Sequence, residues 1–409
     1  MQQLINRYFK NTFLILVWVC ASCGKKSSSL PLASNAHTIS PTKAHEIITG
    51  ANQVPEVLSV LKNKKVAIVG NQTSVVKNQE NYIHLVDTLL SHQIAIEKVF
   101  APEHGFRGKA DAGEVVKNGI DTKTGIPIIS LYGKNKKPSA QVLEGLDIVV
   151  FDIQDVGARF YTYISSLHYV MEACAENNLT LLVLDRPNPN GNYVDGPVLE
   201  PEFKSFVGMH PIPIVHGMTI AEYAQMINGE KWLKNGVQCT LQIVKMKHYN
   251  HQKSYSLPIK PSPNLPNDQA INLYPSLCLF EGTNFSVGRG TNFQFQVYGA
   301  PSYASAEFAF TPQPNEGAKY PKHENKLCYG KDLRKHKKLQ QLDFSFLIDA
   351  YQNTTDKEHF FNNFFVKLAG TQKLQAQIEN GLPFSEIKKS WQPQLDAFKE
   401  IRKSYLIYP

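Results

Sequence analysis

The chain has 409 residues, 19% of them charged and 42% hydrophobic, with a formal net charge of +8 at pH 7. That length exceeds what one core usually supports, so two folded domains are expected. The positive surplus sits in tails and exposed runs such as Lys134, Lys136 and Lys137, or Arg334 to Lys338. No nucleic-acid motif accompanies it, so the reading excludes a nucleic-acid partner and leaves only a weak pull toward an anionic polymer.

Arg7 and Lys10 precede a continuous apolar run from Phe13 to Val19, too short for a membrane span and flanked as a secretory signal is. Cys20-Ala21-Ser22-Cys23 then places small residues before a cysteine. Residues 1–22 are read as a lipoprotein signal peptide and Cys23 as the lipid-bearing residue. The position three before Cys23 is Cys20, where Leu is usual, and ordinary cleavage after Ala21 is the competing reading. Residues 23–44, rich in Ser, Lys, Pro and Ala, are expected to be a flexible tether. The protein is thus expected in a cell envelope, held to the membrane through its lipid anchor and facing the periplasm.

From Lys64 onward, strand and helix patterns alternate. Val66–Val69, Ile96–Phe100, Ile126–Leu131, Leu146–Phe151 and Leu179–Leu184 are short apolar runs. Helical spacing separates them at His84–Ser91 and at Tyr163–Glu176, where Ile164, Leu167, Met171 and Cys174 share a face. Near-continuous apolar strands between helices mean a parallel sheet covered on both faces, a Rossmann-like α/β arrangement. Ile220–Asn228 reads as a further helix and Cys239–Met246 as a strand. A Pro-rich stretch (Pro258–Pro266) and a Gly/Asn-rich loop (Gly282–Asn292) follow. In the last third, Phe344–Tyr351, Phe360–Leu368 and Ser385–Lys403 are helix candidates, the last with Ile387, Trp391, Leu395 and Phe398 on one face. The fold class expected is α/β, with a Rossmann-like parallel-sheet domain over residues 45–235 and a second, smaller domain over 236–409. Cys174, Cys239, Cys278 and Cys328 are widely spaced with no C-x-x-C pair, and buried free thiols are expected.

Cofactor motifs are lacking. Gly70-Asn71-Gln72-Thr73 after the first strand is no dinucleotide fingerprint, and Gly288-Arg289-Gly290-Thr291 lacks the ending of a phosphate loop. No H-E-x-x-H occurs, and the 13 His show no ligand spacing, so neither cofactor nor metal is expected.

In a parallel sheet, ligands sit beyond the carboxyl ends of the strands. There the chain places polar, Gly- and Pro-punctuated loops: Asn71-Gln72-Thr73, Glu103-His104-Gly105, Tyr132-Gly133, Asp152 to Arg159, Asp185-Arg186-Pro187-Asn188 and His216-Gly217. Their convergence on one rim is the functional signal. Glu103, between Pro102 and Gly105 with His104 and Arg107 beside it, is the carboxylate singled out, because acetal cleavage needs a carboxylic acid to protonate the leaving oxygen. The competing reading makes it a helix cap or a partner of Arg107. Asp111, Glu114, Asp152, Asp155, Asp185 and Glu281 are candidates for a second carboxylate, Asp152 and Asp155 foremost. Arg159, Arg186 and Arg289 suit bidentate recognition of a substrate carboxylate, though pairing with Asp152, Asp155 or Asp185 is expected for two of them. Asn71, Gln72, His104, Arg107, Tyr163, Asp185, Asn188 and His216 complete the substrate-binding candidates.

These residues carry a family resemblance. NQTSV, VFAPEHGFRG, DIVVFDIQDVGARFYTYISSL, LDRPNPNG with VDGP, HGMTIAEYA, PSPNLP and FEGTNFSVGRGT, across roughly residues 65–300 and in this order, resemble the exo-β-N-acetylmuramidase family typified by NamZ, formerly a domain of unknown function. The resemblance implies that the first domain is the Rossmann-like catalytic one and the second an auxiliary α/β domain, with a cleft between them. It also implies release of N-acetylmuramic acid from the non-reducing end of peptidoglycan fragments (a disaccharide or muropeptide), without a nicotinamide cofactor. Within PEHGFRG, the family's presumed catalytic carboxylate falls on Glu103. Muramic acid carries a lactyl carboxylate, and an Arg that reads it would separate it from glucosamine. Two rival readings stand beside this one: a non-catalytic sugar-binding lipoprotein, and a metal-dependent hydrolase using Asp152, Asp155 and His104.

Overall fold

The computed structural model describes residues 45–107, 117–304 and 308–409. The expected signal peptide, Cys23 and tether lie outside the described residues, as do Gly108, Asp111 and Glu114.

In chain order, helix α1 (Val54–Leu61) leads into β1 (Lys65–Gly70), a hairpin of β2 (Val75–Asn78) and β3 (Asn81–His84), α2 (Leu85–Ser91), β4 (Ala95–Ala101), β5 (Gly119–Ile120) and β6 (Pro127–Ser130). Then come α3 (Ala140–Leu143), β7 (Ile148–Asp152), α4 (Tyr163–Glu176), β8 (Thr180–Leu184), α5 (Ile220–Gly229) and β9 (Thr240–Val244). Seven of these strands form one sheet in the order β5-β6-β4-β1-β7-β8-β9, parallel except at the β5–β6 pair. From β1 the chain moves outward through β4 to β6, then crosses back to β7 on the other side. The topological switch point, where a crevice opens above the strand ends, therefore lies between β1 and β7.

The unbroken apolar runs of the sequence have a direct cause. Val66 and Ile68 of β1, Ile148 and Val150 of β7, and Leu182 and Leu184 of β8 pack with Val57, Leu61, Leu85 and Leu89 of α1 and α2. Their neighbours Ala67, Val69, Val149, Phe151, Leu181 and Val183 face the opposite way, onto Ile164, Leu167 and Met171 of α4 and Ile220 and Ala224 of α5. Successive residues point to opposite faces, and both faces are covered, so every position is apolar. Helix α5 starts from a reciprocal cap: the Thr219 side chain accepts from the Glu222 amide, and the Glu222 carboxylate accepts from the Thr219 amide.

The second part comprises α6 (Asp268–Leu277), the strands β10 (Val297–Ala300), β11 (Phe308–Phe310) and β12 (Cys328–Asp332), and helices α7 (Ser345–Asn353), α8 (Phe365–Ala369), α9 (Lys373–Glu379) and α10 (Phe384–Lys403). The three strands form an antiparallel sheet in the order β10-β12-β11. Ile387, Trp391, Leu395 and Phe398 are the buried face of α10, as their spacing predicts. Phe280, Phe285, Phe344, Phe365 and Trp391 belong to the same continuous core as α4 and α5, so this part docks on that side of the large sheet. Cys174, Cys239, Cys278 and Cys328 are buried and free.

The architecture is the expected mixed α/β fold, with one difference in its division. A boundary at residue 235 falls ahead of β9, which pairs with β8 from Thr180↔Thr240 to Leu184↔Val244. The large sheet therefore runs on to Val244.

Candidate active site

At the carboxyl end of β4 the chain turns sharply through Pro102 to Gly105, with His104 at φ 70° and Gly105 at φ 75°. Two consecutive left-handed residues, one of them not glycine, are a costly arrangement that places the half-buried Glu103 above the strand ends. Its carboxyl group is gripped from two sides. The hydroxyl of Tyr132, just after β6, donates to Oε1 at 2.9 Å, and the hydroxyl of Thr162, the residue before α4, donates to Oε2 at 2.6 Å. Loops following β4, β6 and β7 thus fix one carboxyl group beside the crevice that the topology opens.

Glu103 lines a cavity of about 300 Å³ with His104, Tyr132, Tyr161, Thr162 and Tyr163 on the sheet side. Tyr161 and Tyr163 meet edge to face at 4.9 Å. Their hydroxyls are committed, Tyr161 donating to the Pro261 carbonyl at 2.8 Å and Tyr163 accepting from Asn71 Nδ2 at 2.8 Å. Burial holds both phenols above their ordinary range. The rest of the lining comes from later in the chain and includes Ser262 and Asn264 of the Pro-rich loop, Tyr274 of α6, then Glu281, Arg289 and Phe364. Arg289 Nη1 donates to Glu281 Oε1 at 2.9 Å, and its Nη2 reaches the Gly317 carbonyl at 3.3 Å. A second hollow of about 430 Å³ adjoins, sharing Glu281, Arg289 and Phe364 and adding Tyr320 and Lys322.

Of the residues expected at the site, Glu103, His104, Tyr163, Glu281 and Arg289 come together on the cavity. The other described candidates are off that lining, and most of them tie the rim loops to one another. Asp152 is fully buried in a two-pronged pair with Arg186, at 2.6 and 2.9 Å, so neither faces a ligand. Asp155 accepts from the Gly157 amide at 2.6 Å and lies 3.9 Å from His216 Nε2. Burial pushes the Asp155 carboxyl up to about 7 and the His216 imidazole down to about 3, which leaves His216 neutral at pH 7. Asp185 accepts from the Ala221 amide at 3.0 Å and from the Tyr408 hydroxyl at 2.7 Å, which fastens the chain's end to the sheet. Burial raises its carboxyl to about 7 as well. Asn188 donates to the Met218 carbonyl, Gln72 to those of Lys260 and Pro261, and Arg107 pairs with Asp121 at 2.7 Å. Arg159 is wholly buried among main-chain carbonyls. The polar character of the rim is therefore largely architectural: buried loops must satisfy their own backbone groups.

Sequence reasoning passed over Thr162 and Lys322 and did not single out Tyr132 as the partner of Glu103. Tyr132 lies 29 and Thr162 59 positions from Glu103, and spacing carries no trace of such a contact. Among the described residues, no group of three or more His, Cys, Asp and Glu is arranged to hold a metal ion.

Fold and site together define a doubly wound α/β protein whose carboxyl-bearing cavity, at the switch-point end of the sheet, is walled by a second α/β part. Residues 66–269 match the model of the N-terminal domain of exo-beta-N-acetylmuramidase NamZ, and residues 272–408 that of its C-terminal domain. Peptidoglycan beta-N-acetylmuramidase NamZ of Bacillus subtilis (strain 168) is 39% identical over 397 residues, 90% of this chain and 92% of that protein. The chain belongs to the NamZ exo-β-N-acetylmuramidase family. The crystal structure of a DUF1343 family protein from Bacteroides fragilis NCTC 9343 is similar, with TM-score 0.82 and 47% identity over 89% of this chain and 99% of that one. A second DUF1343 family protein of that strain has TM-score 0.73 and 27% identity, again over 89% and 99%.

Proposed function

We propose that this chain is an exo-acting glycosidase that releases N-acetylmuramic acid from the non-reducing end of peptidoglycan fragments, in cell-wall turnover and recycling. The observation that carries the reading is the Glu103 carboxyl, held by two hydroxyls on a cavity walled by both family-matched parts. Glu103 gives its proton to the glycosidic oxygen as the C1–O bond breaks; water adds at C1 and gives up a proton. We place Glu281 as the group that takes that proton, because Glu103 and Glu281 are the carboxylates on the cavity lining among the described residues. Asp152, paired with Arg186, and Asp155 are not on that lining. Flat apolar faces suited to a sugar ring are at hand in Phe364, 39% exposed where the two hollows meet, and Tyr320, 91% exposed beside the second. Incubation with MurNAc-GlcNAc should yield free N-acetylmuramic acid and N-acetylglucosamine by mass spectrometry. A protein that binds the disaccharide and leaves it intact is the sugar-binding lipoprotein instead. Treatment with a chelator should leave turnover unchanged; loss of activity restored by added Zn²⁺ or Mg²⁺ would favour the metal-dependent hydrolase.

We further propose that the protein is a lipoprotein anchored through Cys23 and facing the periplasm, on the strength of the Ala21-Ser22-Cys23 sequence after the apolar run. Cys23→Ser should move the protein from the membrane to the soluble fraction. Full membrane association of that variant would end the idea.

A further inference from the structure

We infer that Arg289 is the residue that recognises the lactyl carboxylate of muramic acid, and so sets the preference for muramic acid over uncharged sugars. The inference rests on the muramidase reading and adds a residue to it. Three arginines suit the task by sequence, and the structure removes two. Arg186 is spent on Asp152, and the guanidinium of Arg159 is enclosed by four main-chain carbonyls. Arg289 lines both hollows, the first of them together with Glu103, and a quarter of its side chain is exposed. A substituent leaving a sugar ring seated beside Glu103 and heading for the second hollow meets this guanidinium.

The charge around it favours an anion. Lys322 lines the second hollow with its ammonium mostly buried, where it donates to the main-chain carbonyls of Thr283, of Phe285 at 3.0 Å and of Phe280 at 3.3 Å. Burial lowers its pKa to about 8, so at pH 7 it is still charged. Among the described residues, Arg289 and Glu281 line the same hollow. Beyond the Glu281 carboxylate, which already favours its charged form, a mostly buried ammonium bonded to neutral carbonyls gains from further negative charge. An arriving carboxylate supplies that charge, and the planar guanidinium, steadied by Glu281, supplies the geometry.

The test compares a chromogenic β-N-acetylmuramide with its lactyl methyl ester, which keeps the shape and removes the charge. Wild-type enzyme should prefer the free acid by at least about tenfold in kcat/KM, as a lost charge-assisted hydrogen bond implies. Arg289→Met should bring the two rates within about threefold of each other, and Arg289→Lys should fall between. Equal proportional losses on acid and ester in Arg289→Met would make Arg289 only the holder of Glu281 and overturn the inference. So would a wild-type enzyme indifferent to the ester, or a variant that keeps the wild-type ratio, including by turning over no ester at all. Should Arg289→Met not fold, Arg289→Lys carries the same comparison. Failure of wild-type enzyme to cleave the muramide at all would refute the muramidase reading itself, a distinguishable result.

Discussion

Replacing Glu103 with Gln should lower the turnover of MurNAc-GlcNAc by at least about a hundredfold, the range typical of a lost general acid. The substitution is close to neutral for the structure. Gln keeps a carbonyl oxygen to accept from one of the Tyr132 and Thr162 hydroxyls, and its amide can donate to the other, so both contacts survive. The melting temperature and the affinity for the disaccharide should therefore hold while the rate collapses. A muramide whose leaving group is a good anion, such as a dinitrophenolate, hardly needs protonation and should lose much less. Equal losses on both substrates would move Glu103 to a nucleophilic or orienting role. Normal turnover by the variant would take it out of the reaction.

The first half of the fold was legible because a doubly covered parallel sheet writes itself into the chain as apolar runs. The runs at Val66–Val69, Ile96–Phe100 and Leu179–Leu184 became β1, β4 and β8, and the helical spacing at Tyr163–Glu176 became α4. Elements of the second half left fainter marks. Strands β10, β11 and β12 are three to five residues long and show no alternation that would distinguish them from loop. Helix α6 carries Pro275 in its interior, which argues against a helix on sequence, yet the Asn267 side chain caps its start by accepting from the Ala270 amide. The hairpin of β2 and β3 lies outside the large sheet, with its tip exposed, and offers no apolar run. The site was legible in kind and less so in detail. Glu103 and Arg289 were within reach because Gly- and Pro-marked loops after strands are where ligands bind. Loop polarity alone cannot tell a side chain that faces a ligand from one that satisfies a buried group of the protein, and Asp152, Arg186, Asn188 and Arg159 are of the second kind.

Arg159 gives the sharpest contrast between those two kinds. As a reader of a substrate carboxylate, its loss would raise KM and leave stability alone. The structure predicts the reverse. Nη1 donates to the Pro197 and Ile212 carbonyls, both at 2.7 Å, and Nη2 to those of Leu368 at 2.9 Å and Ala369 at 2.7 Å. One side chain thus clamps two loops of the sheet-bearing part to the end of α8 in the other. The packing is close: Gly370 holds φ 74°, and a Cβ there would lie 2.6 Å from Arg159 Nη2. Burial draws the guanidinium pKa down to about 9, still above neutral, so the clamp is charged at pH 7. Methionine in its place fills much of the volume but removes all four bonds, leaving the Ile212 carbonyl only the Leu199 amide and taking the guanidinium donors from those of Pro197, Leu368 and Ala369, a loss of about 3–5 kcal/mol. The melting temperature of Arg159→Met should fall by roughly 5 °C or more. Arg159→Lys keeps the charge but cannot span all four acceptors and should fall between. Well below the melting transition, the folded fraction of either variant should cleave MurNAc-GlcNAc with a near wild-type KM. A wild-type melting temperature combined with a raised KM would place Arg159 in the binding site instead.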